Sequence, residues 1–180
     1  MSTKKGIMSR REFLKAAGAV SLGSSIVPIS ASAEDSVNAS TLNSEKKVVP
    51  TRPFGKTGVD VSILSLGGVL GMSDQLMFRQ AIKMGVNYWD TADSYGWGKN
   101  EKAIGKYFSR FPDDRKKIFL VTKSSASDPK KLSEKLNESL RRMNTSYIDL
   151  YFIHYVADVK EKLTRDVRGW AEKTKAQGKI

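Results

Sequence analysis

The chain has 180 residues, 31 Lys+Arg against 19 Asp+Glu, a formal net charge of +12, 39% hydrophobic and 28% charged residues. That is the balance of a globular protein and not of a disordered, fibrous or polytopic membrane chain. One histidine and no cysteine exclude disulfide scaffolds, thiol catalysis, thiolate zinc sites, iron–sulfur ligation and multi-histidine metal sites within these residues, so no metal site is expected.

Residues 1–33 form a segment of their own. Lys4, Lys5, Arg10, Arg11 and Lys15 precede an apolar run from Ala16 to Ile29, and Ala31-Ser32-Ala33 closes it. A basic start, a short apolar middle and a small-x-small end predict an export signal cleaved after Ala33; an amphipathic surface helix is the alternative. The run is about 14 residues, short of the roughly 20 of a permanent anchor. Ser9-Arg10-Arg11-Glu12-Phe13-Leu14-Lys15 resembles a twin-arginine signal, which implies a twin-arginine translocation receptor as partner and a periplasmic or otherwise extracytoplasmic destination. Residues 34–49, rich in Ser, Asn, Thr, Glu and Lys, predict a flexible tether. Beyond residue 33, 26 basic and 18 acidic side chains remain, a balance of +8. The basic residues are scattered among acids, which argues for solvated helix faces and against nucleic-acid binding.

From residue 50 the pattern becomes regular. Phe54-Gly55-Lys56-Thr57-Gly58-Val59 predicts a short hairpin, and Val61 to Leu66 a buried strand running into Gly67-Gly68. Ser73 predicts a cap for a helix that turns Met77, Ala81 and Ile82 inward and ends at Gly85. Val86–Asp90 is the next expected strand, followed by a helix over about 100–111. Ile118–Lys123 is almost uninterruptedly apolar, as in a parallel strand covered on both faces. Asp128-Pro129 starts a helix with Leu132, Leu136, Leu140 and Met143 on one side. Tyr147–His154 is a fourth strand, Lys160–Gln177 a fourth helix, and Gly178-Lys179-Ile180 the approach to a fifth strand.

Strand ends at Asp90, Lys123 and His154 recur at intervals of 33 and 31 residues, which are βα-unit lengths and predict a parallel α/β sheet. A doubly wound sheet and a (β/α)8 barrel both fit. The Gly-x-Gly-x-x-Gly fingerprint is absent after the first strand, which favours the barrel. A barrel needs about 250 residues, whereas residues 50–180 hold four βα units. The expectation is the N-terminal portion of a TIM barrel.

Four polar residues fall where such a barrel gathers its chemistry: Asp90, Tyr95, Lys123 and His154, at or just beyond the carboxyl ends of successive strands. A charge at the end of an apolar strand is costly unless paired or used. The set suits acid catalysis by a phenol. Free tyrosine titrates near 10; an ammonium stabilises its phenolate, a carboxylate keeps that amine charged, and a histidine donor can hold a carbonyl oxygen alongside. Taken singly each residue has a plain structural explanation: a core histidine, a surface lysine, a capping aspartate, and loop packing for Tyr95 and Trp97. Glu101, at the start of a helix, is expected to stabilise the helix dipole.

Asp90-Thr91-Ala92-Asp93-Ser94-Tyr95-Gly96, then Glu101, Lys123 and His154, resembles the aldo-keto reductases over residues 51–180. Arg52–Gly58, Leu140-Arg141-Arg142-Met143, Tyr147-Ile148-Asp149-Leu150 and Gln177–Ile180 share the resemblance. It implies an NADP(H)-dependent oxidoreductase acting on a small aldehyde or ketone, with Tyr95 as general acid, Lys123 and Asp90 tuning it, and His154 orienting the substrate. It also implies that Gly67 and Gly68 lie beneath the nicotinamide, with Asp90 near it. The family's remaining cofactor contacts come mostly from later strands, so the 180 residues alone are expected to be inactive. A non-catalytic nicotinamide-binding subunit and a self-assembling half-barrel are the alternatives.

Overall fold

The computed structural model describes residues 48–69 and 73–180. The expected signal, 1–33, and all but the last two residues of the expected tether lie outside them. The chain opens with an antiparallel hairpin, β1 (Thr51–Pro53) and β2 (Asp60–Ser62), in which Thr51 pairs with Ser62. It then runs through β3 (Ser65–Gly67), α1 (Gln75–Lys83), β4 (Tyr88–Asp90), a 3-10 turn (Tyr95–Gly98) and α2 (Lys99–Arg110). A second 3-10 segment (Pro112–Lys117), β5 (Phe119–Ser124), α3 (Pro129–Arg142), β6 (Leu150–Ile153), α4 (Val159–Lys162) and α5 (Arg165–Ala176) complete it. Strands β3-β4-β5-β6 form one parallel sheet in sequence order, as βα repetition with short loops requires.

Alternation along the strands sorts side chains onto two faces. On the helix side, Trp89 and Leu120 join Phe78, Ile104, Tyr107, Phe108, Leu132 and Leu136 in the main core. Trp89 stacks on Phe78 and Phe108 at ring-centroid distances of 5.0 and 6.0 Å. On the other face Val61, Phe119 and Val121 pack with Phe54, Tyr88 and Leu150. The hairpin thus covers the amino-terminal end of the inner face with aromatic and aliphatic side chains. Asp90 and Lys123 continue the same inner columns toward the carboxyl end.

The amino-terminal end is locked by Arg115. Its guanidinium donates to Thr145 Oγ1 (2.9 Å), the carbonyls of Ile118 and Tyr147 (2.9 Å each) and Asp149 Oδ2 (2.8 Å). It also stacks over the Tyr147 ring at 3.8 Å. Asp149 Oδ2 accepts from the Leu120 N–H as well, so one carboxylate sets the start of β5 against that of β6.

Several expectations need correction. The strand predicted over 61–66 is two strands broken at Ile63-Leu64. Ser62 Oγ donates to the Leu64 carbonyl while accepting from the Asn87 and Tyr88 N–H groups, and this turns the chain. The first helix is capped by Asp74, whose carboxylate accepts from Leu76 N–H, and not by Ser73. Phe78 and Ala81 point inward and Met77 is exposed. The helix predicted over 160–177 is divided. Asp158 caps α4 and Thr164 caps α5, with Leu163 outside helical geometry between them. Regular pairing of the last strand begins only at Leu150.

Candidate active site

Lys123 is the centre of the site. Its ammonium donates to Asp90 Oδ1, Asp90 Oδ2 and the Thr91 carbonyl, each at 2.8 Å. Both partners follow from the register: Asp90 pairs with Val121 on the neighbouring strand, so Lys123, two residues further along the same face, reaches back over the end of β4. Three acceptors use all three ammonium protons. The ammonium also lies 4.9 Å from the centroid of the Tyr95 ring.

The segment after β4 is tied to β5 step by step. Thr91 N–H donates to the Val121 carbonyl (2.9 Å), Asp93 N–H to the Lys123 carbonyl (3.1 Å) and Ser124 Oγ to Asp93 Oδ2 (2.7 Å). His154, just past β6, donates its backbone N–H to the Ser124 carbonyl (2.8 Å). Two loops are thereby pinned to the end of one strand. Tyr95 and His154 meet edge to face at 6.1 Å between ring centroids, and Tyr155 stacks on His154 at 3.8 Å. The imidazole pKa is held below the usual histidine value by burial first and the Lys123 charge second, against weaker opposition from Asp93 and Asp90. His154 Nδ1 is buried and has no hydrogen-bond partner among the described residues.

All four expected residues thus converge, with Tyr95 in the 3-10 turn. Gly67 ends β3 on the exposed edge of the sheet, and a Cβ added there would meet nothing. Gly68 is hemmed in: a Cβ would run into the Asn100 side chain, which would have to move to admit it. Trp97 does not pack in the loop; it is 90% exposed and left-handed, with φ 59°.

Glu101 stands in the first turn of α2, as expected, and its carboxylate does more there than face the helix dipole. It is fully buried, accepts from Thr122 Oγ1 (2.9 Å) and pairs with Arg142 (3.1 Å). Burial pushes its carboxyl pKa upward, against the hydrogen bonds and the Arg142 charge that pull it down. Sequence reasoning missed Asp93, Ser124 and Arg142 as parts of the site. A second acid three residues after Asp90 and a hydroxyl directly after Lys123 were the available signals.

Among the described residues no helix is long and apolar enough to cross a membrane, and no group of three or more acidic or histidine side chains could hold a metal ion.

Residues 73–180 match the aldo/keto reductase family. The chain is 30% identical over 151 residues to an aldo-keto reductase, yakc [NADP(+)], of Schizosaccharomyces pombe, covering 73% of this chain and 44% of that protein. It is 35% identical over 127 residues to the uncharacterized oxidoreductase YrpG of Bacillus subtilis, covering 57% and 39%. Among solved structures, the holo form of aldo-keto reductase AKR11C1 from Bacillus halodurans superposes with a TM-score of 0.58 at 28% identity, covering 73% of this chain and 48% of that one. The chain therefore spans less than half the length of each. With the parallel βα units, the strand-end polar cluster and a family match that runs from α1 through α5, the chain belongs to the aldo/keto reductase family of oxidoreductases.

Proposed function

We propose that these residues supply the proton-donating half of an NADP(H)-dependent carbonyl reductase site. One observation carries the reading: Lys123 sits on both oxygens of Asp90 while facing the Tyr95 ring, and that ring meets His154. The Tyr95 hydroxyl donates its proton to the oxygen of an aldehyde or ketone. The Lys123 ammonium stabilises the phenolate left behind, and Asp90 keeps the amine charged and in place. His154, kept neutral by burial, donates an N–H to the same oxygen and fixes its position; with Nδ1 enclosed, Nε2 is the nitrogen left for that bond.

The open backbone at Gly67 beside Asp90 fits the face of a flat, uncharged ring, so Gly67, Gly68 and Asp90 would hold the nicotinamide end of the cofactor. Bound NADPH supplies the hydride. The NADP(+) in the name of the yeast relative and the holo form of the Bacillus halodurans structure support this cofactor.

The test is aldehyde-dependent loss of NADPH absorbance with the full-length gene product. Tyr95→Phe should lower turnover by about 10²–10⁴-fold and leave NADPH binding intact. Binding without turnover in the unaltered protein would overturn the reductase reading in favour of a nicotinamide-binding subunit. The 180 residues alone should show no turnover.

We also propose export by the twin-arginine route, supported by Arg10-Arg11 ahead of the apolar run and Ala31-Ser32-Ala33. Replacing both arginines with lysine should retain the protein in the cytoplasmic fraction; unchanged export would remove the proposal.

A further inference from the structure

We infer that Arg142, which lies outside the four residues above, is a positioning residue that holds the Tyr95 loop from beneath. This rests on the reading of Tyr95 as proton donor. Arg142 ends α3, and its Nη1 donates both to the Asp93 carbonyl (3.0 Å) and to Glu101 Oε2 (3.1 Å), while Nη2 pairs with Glu138. Asp93 stands two residues before Tyr95. Its N–H and carboxylate are held by β5 and its carbonyl by Arg142, so every polar group of that residue is fixed.

Two glycines make room for this arrangement. Gly98 closes the 3-10 turn at φ 79°, and a Cβ there would press into the Arg142 guanidinium. Gly105, on α2, faces the Arg142 backbone, and a Cβ would collide with its carbonyl oxygen. The second glycine brings α3 close to α2; the first lets the guanidinium lie under the turn that starts at Tyr95. Buried Glu101 sets the charge of the partner it needs. The fork of an arginine meets two carboxylates and a carbonyl together, which the single ammonium of a lysine does not. The chain from Arg142 runs through Asp93 and Ser124 to the carbonyl that receives the His154 N–H, so both rings of the site depend on it.

His154 is the chain's one histidine, so its imidazole C–H resonances are identified in the 180-residue chain without ambiguity. Their positions report the ring currents of Tyr95 and Tyr155. Tyr95→Leu supplies the reference shift for loss of the Tyr95 ring. In the neutralised pair Glu101→Gln/Arg142→Gln, which leaves no unpaired buried charge, the His154 signals should move at least half of the way toward that reference. Arg142→Lys is the second variant, and circular dichroism reports whether each folds. Movement in either folded variant supports the positioning role. If every folded variant keeps the unaltered resonances, or if neither folds, Arg142 serves the fold alone and the inference fails. None of these readouts needs turnover, so failure of the reductase reading is seen separately, in the absence of aldehyde-dependent NADPH oxidation.

Discussion

The Lys123 ammonium is spanned by both oxygens of Asp90 at 2.8 Å, and only about a tenth of the lysine side chain reaches solvent. A charge this enclosed depends on its partner for stability. Removing one member of a buried pair costs more than the pair contributes, because the survivor is left unpaired.

Asp90→Asn should therefore destabilise the chain by about 1–3 kcal/mol, because neutral acceptors alone are left to the enclosed ammonium. The double variant Asp90→Asn/Lys123→Met should lose less than the sum of the two single changes. Urea denaturation of the four proteins measures the coupling, and strict additivity would contradict it.

At the opposite end of the sheet, Arg115→Lys should cost about 2–4 kcal/mol. Lysine keeps the charge on Asp149 but gives up the bonds to Thr145, Ile118 and Tyr147 and the stacking over the Tyr147 ring. Equal midpoints in urea would show that the point charge alone closes this end.

Gly105→Ala and Gly169→Ala should act in opposite directions. Both positions are helical, where alanine is favoured by about 1 kcal/mol. At Gly105 the new methyl meets the backbone of α3, so a net loss of about 1–3 kcal/mol is expected from overpacking. At Gly169 nothing lies within 4 Å of an added Cβ, and a gain of up to about 1 kcal/mol should appear as a raised Tm.

His154 gives stability a pH dependence of known sign. Its folded pKa lies below the unfolded value near 6.5, so in the interval between the two the unfolded chain binds the extra proton. Its contribution is fully present above about pH 6.5 and declines as pH falls toward the folded pKa. The free energy of unfolding measured from about pH 8 to 5 should decline on that limb, and His154→Gln should flatten it. An unchanged slope in the variant would assign the decline to carboxylates.

Much of the fold was legible because its units repeat. The apolar run at 118–123, the Asp128-Pro129 start and the four-residue spacing of Leu132, Leu136 and Leu140 each carry their information locally. Asp90, Lys123 and His154 were legible for a related reason, as polar residues at the ends of apolar strands. The misreadings arose where a side chain overrides the pattern. Ser62 bends the strand at 63–64 through its hydroxyl, and Thr164 starts a new helix inside an amphipathic stretch. The pairing of Glu101 with Arg142 joins residues 41 apart, and no periodicity connects them. The space at Gly105 is likewise set by a helix that comes later in the chain.

Consecutive residues of β5 serve opposite environments: Thr122 reaches outward to Glu101 in the helix layer, Lys123 inward to Asp90, and Ser124 outward again to Asp93. A slip of this strand by one residue during folding would thrust the ammonium into the layer occupied by Trp89 and Phe108 and set the threonine among the polar groups of the inner face. The carboxylates on that side, Glu101 and Asp93, are already engaged, the first by Thr122 and Arg142 and the second by Ser124. Lys123 thus favours one alignment of its own strand, because its ammonium reaches Asp90 only in the native register.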